Sequence, residues 1–329
     1  MRCDMRRIRV GFIGAGGIAG LHASKLSTIP EVEVVSVADV VYDKARSFSE
    51  KYGGKPYNDW REMYKSEKLD AVWICIPPYA HTDEVEEAAE RGIHVFIEKP
   101  IALTLEKAED MRRAVEESGV ISWVGYHFRQ AYSIRRCKSI LSESGPVGVV
   151  LGRWWGGIVG DPKHWWWRRE LSGGQIVEQA THIFDLARFL VGDVSRVYTE
   201  LTKSMLTDIP DLTIEDAAAT VLRFKNGAIG VITNTCGANP QAHKVEMDIV
   251  ARRAHIEIRG TKKATIYRID GVEDITSLND PYLDEDLKFI KAIKGEGESE
   301  VPISEGVKTL KLTLAALEAY EKTLPIKID

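Results

Sequence analysis

"IRVGFIGAGGIA", residues 8–19, decides the fold. Ile8–Ile13 is an apolar run of strand length that ends at a glycine, the form of a strand buried on both faces. Gly14-Ala15-Gly16-Gly17-Ile18-Ala19 follows at once and fits G-x-G-x-x-G/A. The glycines of that pattern allow a tight turn and a close backbone approach to a pyrophosphate, which rests on the N-terminus of the helix opening there. Asp39, twenty residues past Ala19, closes the second apolar run. A carboxylate there accepts hydrogen bonds from adenosine ribose hydroxyls and repels a 2′-phosphate. Val40 and Val41 come next, with no arginine to receive such a phosphate, so the expected cofactor is NAD rather than NADP.

Working outward, short apolar runs alternate with charged helical patterns across residues 1–124. The runs are Ile8–Ile13, Val32–Ala38, Ala71–Ile76, His94–Ile97 and Val120–Val124, with helices such as Asp83–Arg91 and Leu105–Glu117 between them. Such alternation builds a parallel sheet covered on both faces. After Gly125 the texture changes. A helical stretch at Tyr132–Ser142 and one long helical pattern, Gln175–Val191, precede β-like runs from Val194 to Ile269, with "KNGA" (225–228) as a hairpin turn. Helices at Asp284–Ile293 and Ser304–Lys322 end the chain. The expected fold is α/β: an NAD-binding Rossmann domain with a doubly wound parallel sheet over 1–124, then an α+β domain with an open, mostly antiparallel sheet over 125–329. The second would bind substrate and form oligomers.

At 329 residues the chain has length for about two domains, and a net charge of −5 without a dense basic run argues against nucleic acid. No stretch approaches the ~18 uninterrupted apolar residues of a membrane span. The positive head of "MRCDMRRIRVGFIGAGGIAG" imitates a signal peptide, but its apolar run reads better as the first strand. Cys3, Cys75, Cys137 and Cys236 are scattered without metal-ligand spacing and read as reduced thiols of a cytoplasmic protein.

In a doubly wound sheet ligands bind beyond the carboxyl ends of the strands. "ICIPPYAH" (74–81) and "FIEKPIALT" (96–104) are two such ends. By themselves Glu98-Lys99 suit a solvated pair and His81 a helix start. In "GGQIVEQATHIFDLARFL" (173–190), Glu178, His182 and Asp185 recur at i, i+4 and i+7 and would share one helical face. Glu178 and His182 could be half of a metal site, but no second ligand set accompanies them, so no metal is expected. Five of the eight tryptophans fall between Trp154 and Trp167. Three adjacent indoles cannot all point one way. Trp165 or Trp167 is expected to face substrate, the others to enter the core or a subunit interface.

The fingerprint, "PPYAH", "EKP" and "GG…E…H..D" together resemble the Gfo/Idh/MocA family, the glucose-fructose oxidoreductase and inositol dehydrogenase group. The resemblance implies that Lys99 lies beside the nicotinamide and the substrate hydroxyl, with Glu98 before it. It implies that the backbone around Ile76, Pro77 and His81 lines the cofactor and that Arg129 of "GYHFR" lies near it. His182 matches the family's catalytic histidine, Arg168 the arginine of its W-R segment, and Glu178 occupies a place usually held by aspartate. Oxidation of a secondary alcohol needs a base for the hydroxyl proton, which an imidazole supplies near neutrality. Lys99 would polarise the same oxygen and stabilise a developing alkoxide. The implied activity is hydride transfer between a sugar, polyol or related alcohol and NAD by a homo-oligomeric enzyme. Two alternatives stand beside it: a glycosidase or epimerase with transient oxidation, and a sensor that binds NAD and sugar without turnover and could lose Lys99 or His182 freely.

Overall fold

The computed structural model describes residues 7–157, 161 and 163–328. The charged head of the chain and Cys3 lie outside the described residues. Cys75, Cys137 and Cys236 are free and buried.

The described residues form two compact units, one reaching to Gly125 and including Tyr282–Val307, the other built from Tyr126–Pro281 and the chain from Lys308 onward. The expected second domain runs unbroken from 125; instead 282–307 groups with the first unit. Long-range packing causes this. Phe289 meets Trp73 at 5.1 Å and Phe96 at 5.8 Å between ring centroids, and Trp73 and Phe96 stack at 5.5 Å.

The first unit holds a six-stranded parallel sheet in the order β3-β2-β1-β4-β5-β6, made of β1 (Ile8–Ile13), β2 (Val32–Ala38), β3 (Lys55–Tyr57), β4 (Ala71–Ile74), β5 (His94–Ile97) and β6 (Ser122–Val124). Its helices are α1 (Gly17–Leu26), α2 (Tyr42–Tyr52), α3 (Trp60–Ser66), α4 (Glu84–Glu90), α5 (Leu105–Ser118) and, after the second unit's elements, α10 (Pro281–Ile293). β4 ends two residues before the expected Ile76, freeing the Pro-Pro segment as a turn. The short β3 carries no apolar run to announce it.

The second unit holds a nine-stranded sheet ordered β14-β13-β12-β11-β7-β10-β9-β8-β15. Its strands are β7 (Val147–Trp155), β8 (Val194–Thr202), β9 (Ala217–Phe224), β10 (Ile229–Thr235), β11 (Lys244–Ala251), β12 (Ala254–Arg259), β13 (Lys263–Arg268), β14 (Gly271–Thr276) and β15 (Ile326–Lys327). The β7–β10 pair is parallel and the other pairs are antiparallel. Helices α6 (Tyr132–Glu143) and α9 (Thr181–Val191) pack on one face of it. Contact there is close: a Cβ on Gly152 of β7 would lie 2.7 Å from the Ile183 Cγ2 of α9. Two single-turn helices, α7 (Arg169–Ser172) and α8 (Gln175–Glu178), precede α9, and α11 (Ile303–Lys322) follows α10.

Gln175–Val191 is not one helix. Residues 179 and 180 separate α8 from α9, and the Ala180 amide donates to Gln175 O, one residue beyond the α-helical register. Glu178 therefore closes one helical turn while His182 and Asp185 sit on the next helix, so the expected three-residue stripe is broken.

Candidate active site

The turn after β1 is as tight as its glycines allow. Gly14 has φ of +91°, and a Cβ there would stand 2.4 Å from the carbonyl oxygen of Cys75 at the end of β4, so no side chain fits. Above Gly16 and Gly17 a Cβ would meet nothing within 4 Å. Gly16 is the N-cap of α1 and supplies no side-chain cap, whereas Asp59 caps α3 and Thr104 caps α5. The first amides of α1, beginning with Gly17 and Ile18, are left to an anionic ligand. Asp39 follows β2 and accepts from the Ala15 amide at 2.9 Å and the Val41 amide at 2.8 Å, tying the ends of β1 and β2 together. Its lone pairs beyond those two bonds can accept ribose hydroxyls.

After β4, Ile76 and Pro77 are half-buried, and Ile76 Cγ2 lies 3.1 Å from the Cβ that Gly14 lacks. His81 Nδ1 pairs with Glu84 Oε1 at 2.5 Å, while its buried Nε2 has no hydrogen-bond partner among the described residues. Burial alone would raise the Glu84 carboxyl, but the bond to His81, the charge of that ring and the bonds from backbone amides together outweigh it and hold the pKa at about 2. After β5, Glu98 is buried and its Oε2 accepts the Lys99 amide at 3.0 Å. Thus Gly14, Gly16, Gly17, Ile18, Asp39, Ile76, Pro77, His81, Glu98 and Lys99 all follow the carboxyl ends of β1, β2, β4 and β5. An open glycine turn, an uncapped helix and an orphaned imidazole nitrogen fit a dinucleotide.

In the second unit His182, one residue into α9, is 5% exposed. Its ring lies nearly parallel to Phe128 (centroids 5.0 Å, 16°) and Trp154 (5.6 Å, 23°), with His127 (5.0 Å) and Tyr126 (6.1 Å) edge-on. Tyr126 Oη bonds Thr181 Oγ1 at 3.1 Å, fixing the start of α9. Trp154 reaches the imidazole because it points to the inner face of β7. Nothing in the residue order singles it out from its neighbours; the run Tyr126-His127-Phe128 ahead of Arg129 is the one available signal. Glu178 is 5% exposed at the end of α8.

One expectation, that Trp167 faces substrate, is corrected. Arg129, expected beside the cofactor, makes a bidentate pair with Asp185 at 2.8 and 2.6 Å, in which both partners are buried. Thr309 Oγ1 donates to the same carboxylate at 3.0 Å. A guanidinium so held pins the turn after β6 to α9. Trp167, a candidate for the substrate wall, is 1% exposed and packs with Ile214 and Cys236, flanked by Trp166, Leu206 and Leu212. Its indole belongs to the core. Trp165 is half-buried and meets Trp166 edge-on at 5.9 Å, and the Arg168 Nε is buried without a hydrogen-bond partner among the described residues.

Residues 8–126 match the model of an oxidoreductase family with an NAD-binding Rossmann fold, and residues 143–265 match the GFO/IDH/MocA C-terminal domain. The chain belongs to the GFO/IDH/MocA family. It is an NAD-dependent oxidoreductase, and the first unit carries the family's NAD-binding domain. The chain is 29% identical to myo-inositol 2-dehydrogenase of Thermotoga maritima over 98% of this chain and 99% of that one. It is 25% identical to scyllo-inositol 2-dehydrogenase (NAD(+)) of Bacillus subtilis over 98% and 97%. Among solved structures, a levoglucosan dehydrogenase in complex with NADH and L-sorbose has the same fold, with a TM-score of 0.91 at 22% identity, covering 99% of this chain and 100% of that one.

Proposed function

We propose that the enzyme oxidises a secondary hydroxyl of a cyclic polyol or pyranose, with His182 as the base. The observation that carries this reading is the imidazole of His182, buried on α9 against the rings of Phe128 and Trp154. Flat aromatic surface suits the C–H faces of a sugar ring, and an imidazole held there is placed to accept one hydroxyl proton. NAD supplies the hydride acceptor when bound. The Lys99 ammonium polarises the reacting oxygen and stabilises negative charge as the proton leaves. Glu178 accepts hydrogen bonds from neighbouring hydroxyls; Arg168 and Trp165 complete the substrate contacts. The relatives that act on inositols support a ring alcohol as substrate.

NADH absorbance tests this. The purified enzyme is given NAD with myo-inositol, scyllo-inositol, levoglucosan and D-glucose in turn. Steady NADH formation with at least one is expected; a flat trace with all of them would sink the reading.

The enzyme works as a homo-oligomer. Leu151, Val221, Ile229 and Val250 stand on the sheet face opposite α9, each between 41% and 49% exposed, and a second copy covers them. Its compartment is the reducing cytoplasm, which suits three free, buried thiols. Among the described residues no helix is long and apolar enough to cross a membrane.

A further inference from the structure

His22 lies on α1, is fully buried, and has both ring nitrogens at hydrogen-bond distance from carboxylates. Nδ1 is 2.8 Å from Asp286 Oδ1 on α10, and Nε2 is 3.0 Å from Glu98 Oε1 after β5. We propose that His22 and Asp286 are positioning residues for the Glu98–Lys99 turn, a buried carboxylate–imidazole–carboxylate line that fixes Glu98 and, through it, the peptide presenting Lys99. This rests on the reading of Lys99 as a residue of the hydride-transfer site.

Each link is held from more than one side. The indole Nε1 of Trp73 donates to Asp286 Oδ1 at 2.9 Å, and the imidazole packs edge-on against Phe96 at 4.8 Å. Glu98 is confined by Gly125, where a Cβ would lie 2.7 Å from Oε1 and 2.8 Å from Cδ. Its other oxygen, Oε2, accepts the Lys99 amide, so a shift of the carboxylate moves that peptide.

The line also holds a proton. A neutral imidazole has one N–H and can donate to one carboxylate only, so the other nitrogen would face an acceptor with a lone pair. An imidazolium donates to both carboxylates at once, which a neutral ring cannot. Burial by itself would lower the His22 pKa, but Asp286 and Glu98 outweigh it and raise it well above the ordinary value. The groups facing this line are Glu285, Cys75 and Tyr282. Burial pushes the Glu285 carboxyl and the Cys75 thiol well up, and the Tyr282 ring lies 5.9 Å from the imidazole. Oxygens of Glu98 and Glu285 and a His22 nitrogen lie within 4.8 Å of one another, close enough to hold a metal ion; a proton on His22 Nε2 directed at Glu98 takes the place of one.

The test has two arms. Histidine-labelled wild-type protein is followed by NMR from about pH 6 to about pH 9, with His22→Gln assigning the resonance. The expected result is an imidazole protonated on both nitrogens throughout. Titration near ~6.5, or a stoichiometric metal in the purified protein, would overturn the proposal. The second arm measures Asp286→Asn with the best substrate of the panel above, alone and combined with Lys99→Ala. Alone it should lower kcat by about tenfold or more while NAD affinity and KM change by less than about threefold; on Lys99→Ala it should cost less than about twofold, as groups acting through one another do. Equal losses in both backgrounds, or parallel losses of kcat and NAD affinity, would mark Asp286 as merely structural. A fully active Lys99→Ala would remove the reading on which the proposal rests and the proposal with it, while the NMR result would still report the protonated line.

Discussion

His182 is the proposed base, and its removal tests the chemistry directly. His182→Ala is expected to lower kcat by about 10²–10⁴, with NAD binding, read by tryptophan fluorescence, unchanged. Asp39 belongs to recognition. Asp39→Ser removes the negative charge that repels a 2′-phosphate, and the ratio of kcat/KM for NAD over NADP should fall by roughly tenfold or more. Glu84 gives a pH dependence whose sign follows from its shift. Its folded pKa of about 2 lies below the ordinary 4.5, so the stabilisation is present above 4.5 and disappears as pH falls through 2. Glu84→Gln should therefore cost up to about 3 kcal/mol at neutral pH, and the difference from wild type in urea midpoints should shrink steadily from about pH 5 down to about pH 2.

At the scale of elements, two glycines set how closely segments approach. Gly14→Ala places a Cβ against the Cys75 carbonyl at a positive φ, where neither backbone can yield cheaply, and should abolish NAD binding in a titration calorimeter. Gly152→Ala differs because its Cβ meets a side-chain methyl of Ile183, which can move. Overpacking of this kind costs about 1–3 kcal/mol, and the loss of thermal stability from Gly152→Ala should be smaller on an Ile183→Ala background, which lacks Cγ2, than on wild type. Elements with strong patterning were readable from residue order: β1, β2 and β5 occupy the expected spans. The break between α8 and α9 was not, because Gln179-Ala180 carries no helix-breaking residue; the interruption comes from how α8 sits in the unit. The Ile176 amide donates to Glu215 Oε1 at 2.8 Å, and Gln175 Oε1 accepts from Asn234 at 2.6 Å. Those bonds hold α8 to β10 and to the residues ahead of β9, forty to sixty positions along the chain.

At the scale of the molecule, the outer face of the nine-stranded sheet carries a connected apolar field. Val221, Val231 and Leu151 lie side by side across β9, β10 and β7, and Ile229, Val149 and Val250 form the row beside them. A patch of this kind calls for a cover. Leu151→Arg is expected to yield monomers in sedimentation velocity while leaving the fold intact by circular dichroism; an unchanged sedimentation coefficient for an oligomeric wild type would place the interface elsewhere.

Residue order alone determined the parallel sheet, the glycine turn and its answering Asp39, because these depend on local periodicity and on backbone conformations that only glycine allows. The resemblance of its motifs to the family marked Lys99 and His182 as candidates. Tertiary structure decided the rest: that Phe289 and Asp286 return to the first unit, that Arg129 is spent on Asp185, that Trp167 enters the core while Trp154 meets His182, and that His22 joins two carboxylates from distant segments. Such partnerships arise between residues dozens to hundreds of positions apart, and no local pattern encodes which buried charge will face which.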